Sequence, residues 1–147
     1  MRKGQVSTEL LVIIAIVLLI FLPLLVLVYF KTGEANAQIG AYQGELAVFR
    51  LAYLADSVGS LGSNTSVATE VYVPPGVSEL STRSFSRGGE IVMKVRTPAG
   101  DSEIAEIVKF PIVNPQNFST SPGWARFTIT SVYVGGEASL RIESARD

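Results

Sequence analysis

The sequence predicts an α+β chain. A long N-terminal helix, apolar enough over its first part to be transmembrane, precedes a small antiparallel β-sandwich or partly open barrel. Three observations carry that prediction. Leu10 to Phe30 is a run of 21 residues without a charge, an amide or a glycine, the length an α-helix needs to cross a bilayer core at about 1.5 Å per residue. Apolar residues then recur at spacings of three and four from Ile39 to Tyr53. From Thr69 the hydrophobic period changes to two. Beyond Phe30 about 117 of the 147 residues remain, enough for one modest domain.

At the N-terminus the order is basic, small, polar, apolar: Met1-Arg2-Lys3-Gly4, then Gln5-Val6-Ser7-Thr8-Glu9, then the apolar run. Arg2 and Lys3 hold the N-terminus on the cytoplasmic side, and Lys31 is the only basic residue close to the other end of the run. The positive-inside rule therefore places everything after Phe30 outside the cell membrane, as a single-pass topology. An ordinary secretory signal has a core of about 7–15 apolar residues and a small-residue cleavage site after it. This run is longer and continues as Lys31-Thr32-Gly33-Glu34 with no such site, so the helix is expected to stay in the mature protein. Pro23 lies mid-run and is expected to kink or loosen the helix, because it has no N–H to donate to the preceding turn.

The Gly4-Gln5 junction with Ser7 and Glu9 resembles the class III signal peptide of archaeal type IV pilin-like proteins. In that family a basic leader ending in Gly is followed by Gln-x-Ser-x-Glu and a long apolar helix. Gln5, Ser7 and Glu9 match the pattern position for position, and Leu10-Leu11-Val12 continue it. The resemblance implies that a prepilin-type peptidase cuts between Gly4 and Gln5, removing Arg2 and Lys3 and leaving the apolar helix attached. Segment 1–4 would then be a leader peptide, 5–30 a transmembrane and filament-core helix, 31–62 an amphipathic stem and 63–147 the exported β-rich domain. It further implies subunits held in membrane lipid before assembly, then a homo- or hetero-oligomeric surface filament of pilin subunits. Losing Arg2 and Lys3 leaves ten basic against thirteen acidic residues, a side-chain net of −3. A retained leader would place two cations at the base of a hydrophobic bundle, so cleavage can gate assembly.

Physics gives Glu9 a reason to be there. A carboxylate in the first turn is favoured by the helix dipole and by orphan backbone N–H groups. Burying it in an apolar bundle costs several kcal/mol unless a cation meets it. Cleavage would create that cation, the new α-amine of Gln5 on a neighbouring subunit. A charge at the interfacial end of a membrane helix is the plainer alternative.

After Lys31 the helix is expected to continue. Ile39, Tyr42, Leu46, Phe49 and Tyr53 form one apolar stripe, whose simplest use is to dock the stem on the β-domain, with packing between subunits as the alternative. Gly33, Gly40 and Gly44 weaken the helix by about 1 kcal/mol each relative to Ala, and Lys31 to Gly33 reads as a joint. Small residues from Gly59 to Ser63 end the stem.

Strand patterns follow. Thr69 to Val73 alternates and ends at Pro74-Pro75-Gly76; Val77 to Leu80 is a short second strand, with Arg83 to Ser86 after it. Arg87-Gly88-Gly89-Glu90 reads as a hairpin turn before Ile91 to Arg96. Pro98 to Asp101 turns into Ser102 to Phe110, and Pro111 to Pro122 reads as a loop. Ala125 to Tyr133 is a long strand, and Gly135-Gly136 turns into Ala138 to Glu143. Six or seven short strands at this spacing suit a sandwich. The order, with its Pro-Pro-Gly turn and late Gly-Gly hairpin, loosely resembles the ectodomains of the same pilin-like proteins.

Composition excludes several function classes. The chain has no Cys and no His, which removes disulfides, thiolate metal sites, the commonest metal ligand and Ser–His–Asp chemistry. No Ser–Lys or carboxylate pair stands out, so the expectation is a protein that is not an enzyme, with no catalytic residue, no metal and no cofactor. A net charge of −1 argues against nucleic acid as a partner. Gly88-Gly89 and Gly135-Gly136 lack phosphate-loop spacing and read as turns. Asp101 and Glu103 near a turn are weak support for Ca²⁺ and read as solvated. Asn64-Thr65-Ser66 and Asn117-Phe118-Ser119 are sequons in expected loops on the exported side, so Asn64 and Asn117 are candidate N-glycosylation sites. Of the aromatics that could make an adhesive patch, Phe127 and Tyr133 share a face with Ile129 and are expected in the core, leaving Trp124 as the exposed one. A single-pass anchored surface protein with a binding β-domain, not polymerised, is the alternative to a major or minor filament subunit.

Overall fold

The computed structural model describes residues 3–97 and 100–145, with side chains from Thr8 onward. Arg2 and the Pro98-Ala99 pair lie outside the described residues, as do the side chains of Lys3, Gly4, Gln5 and Ser7. One helix, α1 (Lys3–Leu61), is followed by six strands: β1 (Ser66–Val73), β2 (Val77–Phe85), β3 (Gly88–Thr97), β4 (Gly100–Val108), β5 (Gly123–Val134) and β6 (Glu137–Ser144). The chain is thus α+β, as the sequence predicts. It divides into two compact units, Met1–Asn36 and Ala37–Asp147.

The helix assignment is continuous through Pro23 and through Lys31–Gly33, where the sequence suggested a joint. Lys31 Nζ lies 2.8 Å from Glu34 Oε2, one turn along the same helix face. Gly62, at φ +97°, takes the left-handed position that ends a helix without a Cβ penalty.

In the second unit all strand pairing within the two sheets is antiparallel, with orders β1-β5-β6 and β2-β3-β4. The β1–β5–β6 sheet turns Val71, Val73, Ala125, Phe127, Ile129, Leu140 and Ile142 inward. Leu80, Ile91, Met93 and Val95 do the same from the other sheet. The sheets do not close into a barrel. Segment 111–118, read from the sequence as a plain loop, instead joins one edge of each. Val113 N–H donates to Leu140 C=O, and Leu140 N–H to Pro111 C=O. Thr82 N–H donates to Gln116 C=O, and Phe118 N–H to Leu80 C=O, all at 2.8–2.9 Å. Asn114 then clamps Ile142, donating from Nδ2 to its carbonyl and accepting its N–H at Oδ1. Backbone groups that a loop would leave to water are satisfied this way, which lets Ile112 and Phe118 enter the core.

The helix docks on the opposite side through a face other than the expected one. Ala47, Val48, Leu51, Ala52, Ala55 and Val58 are buried, again at spacings of three and four. The stripe from Ile39 through Tyr42, Leu46, Phe49 and Tyr53 is exposed throughout, Leu46 at 67% against 2% for Leu51. The reason is steric. A Cβ on Gly44 would stand 3.2–3.3 Å from Met93, Val95 and Ile104 side-chain atoms, and one on Gly59 would stand 2.3 Å from the Phe110 ring. The strands approach the helix so closely that only Gly, Ala and a few aliphatic side chains fit between. Gly44, read from the sequence as helix-weakening, and Gly59, read as a helix stop, are therefore part of the contact surface, whereas Gly33 has nothing within 4 Å of a Cβ. Asp56 Oδ1 adds a hydrogen bond by accepting Lys109 N–H at 2.8 Å.

Several strand limits differ from the expected ones: β1 begins at Ser66, β2 runs unbroken from Val77 to Phe85, and β4 begins at Gly100. Gly88 and Gly89 lie inside β3, and the turn is Ser86-Arg87. A Cβ at Gly88 would come 2.7 Å from the Val108 carbonyl oxygen, and one at Gly89 2.6 Å from Ile112, so these glycines serve close packing and not a turn. Gly135-Gly136 is the expected hairpin: both have positive φ, 64° and 88°, as a two-residue primed turn demands. Because β5 runs past the end of β1 toward that turn, Tyr133 leaves the core and is exposed, contrary to the sequence expectation. Phe127 is buried as expected, edge-on to Phe118 at 5.4 Å.

The outer face of the β2–β3–β4 sheet carries a charge network. Lys94 Nζ lies 2.6 Å from Glu79 Oε2, and Arg83 reaches both Glu90 and Glu103. The hydrogen bond from Lys94, with a second from Ser81, holds the Glu79 carboxyl below its usual range; the same Glu79 contact holds Lys94 above its own. Val92 is buried in this sheet although it lies outside the main core cluster. It shares the network's face, since Ser81 opposes Val92 just as Glu79 opposes Lys94.

Candidate functional site

Two surfaces stand out, one in each unit. The first is the N-terminal part of α1. Every large apolar side chain described from Leu10 to Phe30 is between 45% and 77% exposed, on all sides of the helix. Among the described residues this is the one helix long and apolar enough to cross a membrane. Leaving such a segment in water would cost tens of kcal/mol at about 1.5–3 kcal/mol per large side chain, so the segment requires lipid or other helices around it. Glu9 stands exposed at the head of this surface, on the same helix face as Val12 and Ile13 three and four residues on. Its carboxylate is the last charge before the apolar run.

The second surface is the outward side of the stem. The apolar stripe from Ile39 to Tyr53 forms a ridge with an open groove on each flank. One groove is lined by Gln43, Leu46, Ala47 and Arg50 of α1 with Val71 and Tyr72 of β1 and Trp124 of β5. The other is lined by Tyr42, Glu45, Leu46 and Phe49 with Glu106 of β4. Trp124 is 62% exposed and meets Tyr72 edge-to-face at 5.6 Å, so the expectation of an exposed Trp124 holds. Among the described residues Arg50 is the one charged residue lining the first groove, and the second carries two carboxylates. Phe49 and Tyr53 stack at 6.5 Å on the ridge. Sequence periodicity found this stripe and assigned it to the wrong neighbour, because it ranks side chains by size and not by what can fit beneath them.

Remaining sequence candidates fall elsewhere. Asp101 pairs with Arg96 at 3.6 Å and Glu103 with Arg83 at 3.4 Å, so cations of the chain already face both carboxylates. Asn64 is exposed in the turn after α1, in a left-handed conformation at φ 65°, and Ser66 of its sequon shares a hydrogen bond with Thr130 at 3.0 Å. Asn117 is also exposed, in an isolated bridge to Ser81, but the next residue, Phe118, is buried.

Comparison with protein-family models, curated proteins and solved structures gives no match, so the functional reading rests on this chain's own residues.

Proposed function

We propose that the protein is a structural subunit, major or minor, of an archaeal type IV pilus-like surface filament, matured by a prepilin-type peptidase that cleaves after Gly4. Its work is assembly. The observation that carries the reading is an apolar helix bare on every side, headed by Glu9, directly after a Gly4-Gln5-Val6-Ser7 junction. Before assembly, lipid covers Leu10 to Phe30. After it, the helices of neighbouring subunits do, and the α-amine freed at Gln5 meets the Glu9 carboxylate of a neighbour where no water can. The β-domain stays outside the membrane as the filament's surface.

The test is the N-terminus and intact mass of the native protein, taken from sheared surface material and from membranes. A chain beginning at Gln5 in the sheared fraction is expected, and added mass there would assign glycans to Asn64 or Asn117. A chain beginning at Met1 and found only in membranes would overturn the reading and leave a single-pass anchored surface protein. Two variants sharpen it: Gly4→Val should block both cleavage and filament formation, and Glu9→Ala should abolish incorporation while leaving membrane insertion intact.

A further inference from the structure

We infer that the outward ridge of the stem is a second assembly surface, on which the cationic flank of one copy meets the anionic flank of the next. This deepens the filament reading and rests on it. A soluble domain seldom leaves a row of large apolar side chains uncovered, and here the row follows one helix face for four turns. Its composition is that of an interface centre, with tyrosines, a phenylalanine, a tryptophan and an arginine.

Charge identifies the occupant. On the β1 side of the ridge, Arg50 lies with Trp124 and Tyr72, and among the described residues no carboxylate lines the groove. On the β4 side, Glu45 and Glu106 line the groove, and among the described residues no cation does. None of the three takes part in an ion pair among the described residues, whereas Glu70, Glu79, Glu90, Glu103 and Asp101 all do. The two flanks are thus complementary to each other and not each to itself. A second copy of this chain supplies the missing partner for both. An antiparallel two-fold pair would set like against like, whereas parallel copies, as in the proposed filament, set the unlike flanks together, and such a contact propagates as an open chain where it does not close. An anionic lipid surface would be repelled by the Glu45–Glu106 flank.

The test is a charge exchange in the full-length protein, read as filament mass sheared from cells. Arg50→Glu should lower filament yield about tenfold or more, because it sets three carboxylates together. Adding Glu45→Arg and Glu106→Arg to that variant should restore yield to within a few-fold of the native level. All three positions are on the surface, and unchanged protein levels in the membrane would show that folding is intact. Cysteine pairs fix the direction, and the chain has no native Cys to confuse them. When Arg50→Cys and Glu106→Cys subunits are co-expressed, the mixed disulfide should exceed either homotypic one.

Filaments that form normally with Arg50→Glu, or cross-links that are homotypic only, would overturn this interface and leave the filament reading standing. If native protein forms no filaments while Leu19→Cys copies also fail to cross-link, both readings fall together.

Discussion

Which face of the stem is docked can be decided by two substitutions five residues apart. Leu51 is 2% exposed against the β-domain, and Leu46 is 67% exposed on the ridge. Leu→Ala removes three carbons. At about 0.8 kcal/mol for each buried group the transfer loss at Leu51 is roughly 2.4 kcal/mol. The cavity left between helix and strands raises this to about 3–4 kcal/mol, within the range seen for buried Leu→Ala changes. At Leu46 only about a third of the side chain is covered, so the loss is about 0.8 kcal/mol at most, with no cavity behind it. In a unit of this size those values correspond to melting temperatures lower by about 12–16 °C and about 3 °C. The assay is thermal unfolding of the full chain in detergent, followed by strand circular dichroism and by fluorescence of the single tryptophan, Trp124. Equal destabilisation by Leu46→Ala and Leu51→Ala would refute the docking described here and return the aromatic stripe to the core.

Three further outcomes are expected. Gly59→Ala should destabilise by about 1–3 kcal/mol despite the better helix propensity of alanine, because its Cβ would overlap the Phe110 ring; combining it with Phe110→Leu in a double-mutant cycle should show favourable coupling, and strict additivity would contradict the contact. Thr69→Val should be neutral or stabilising by up to about 1 kcal/mol, since the Thr69 hydroxyl is buried without a hydrogen-bond partner among the described residues; a clear loss of stability in urea unfolding would argue against that. The Glu79–Lys94 pair sets a pH dependence. Glu79 titrates below its ordinary 4.5 when folded, so its contribution is present above that value and disappears as pH falls through the folded pKa. Lys94 titrates above its ordinary 10.5, so its contribution holds below that value and disappears as pH rises through the folded pKa. Melting curves of Glu79→Gln should accordingly show a shallower acid decline than those of the native chain, and an unchanged slope would count against the pair.

The sequence by itself determined whatever depends on local pattern. Twenty-one uncharged residues in a row read as one long apolar helix because length and hydropathy suffice for that. The alternation from Thr69 onward located the strands because a half-buried strand has period two. Gly135-Gly136 named its own turn because few residues other than glycine accept positive φ twice in succession. Other features depend on what lies opposite, and only the tertiary structure decided them. The helix presents two faces at the same three-and-four spacing, one large and aromatic, one of alanine, glycine and small aliphatics. Hydrophobicity favours the first, but the strands come too close for it, so the second is buried. Gly88-Gly89 looks like a turn until Val108 and Ile112 are seen to occupy the space a Cβ would need. Tyr133 has the parity of a core residue, yet β5 extends beyond its partner β1 and carries it out of the core. Pattern reports which side chains share a face; only the packed structure reports whether there is room beneath that face, and so which surface is left for a neighbour.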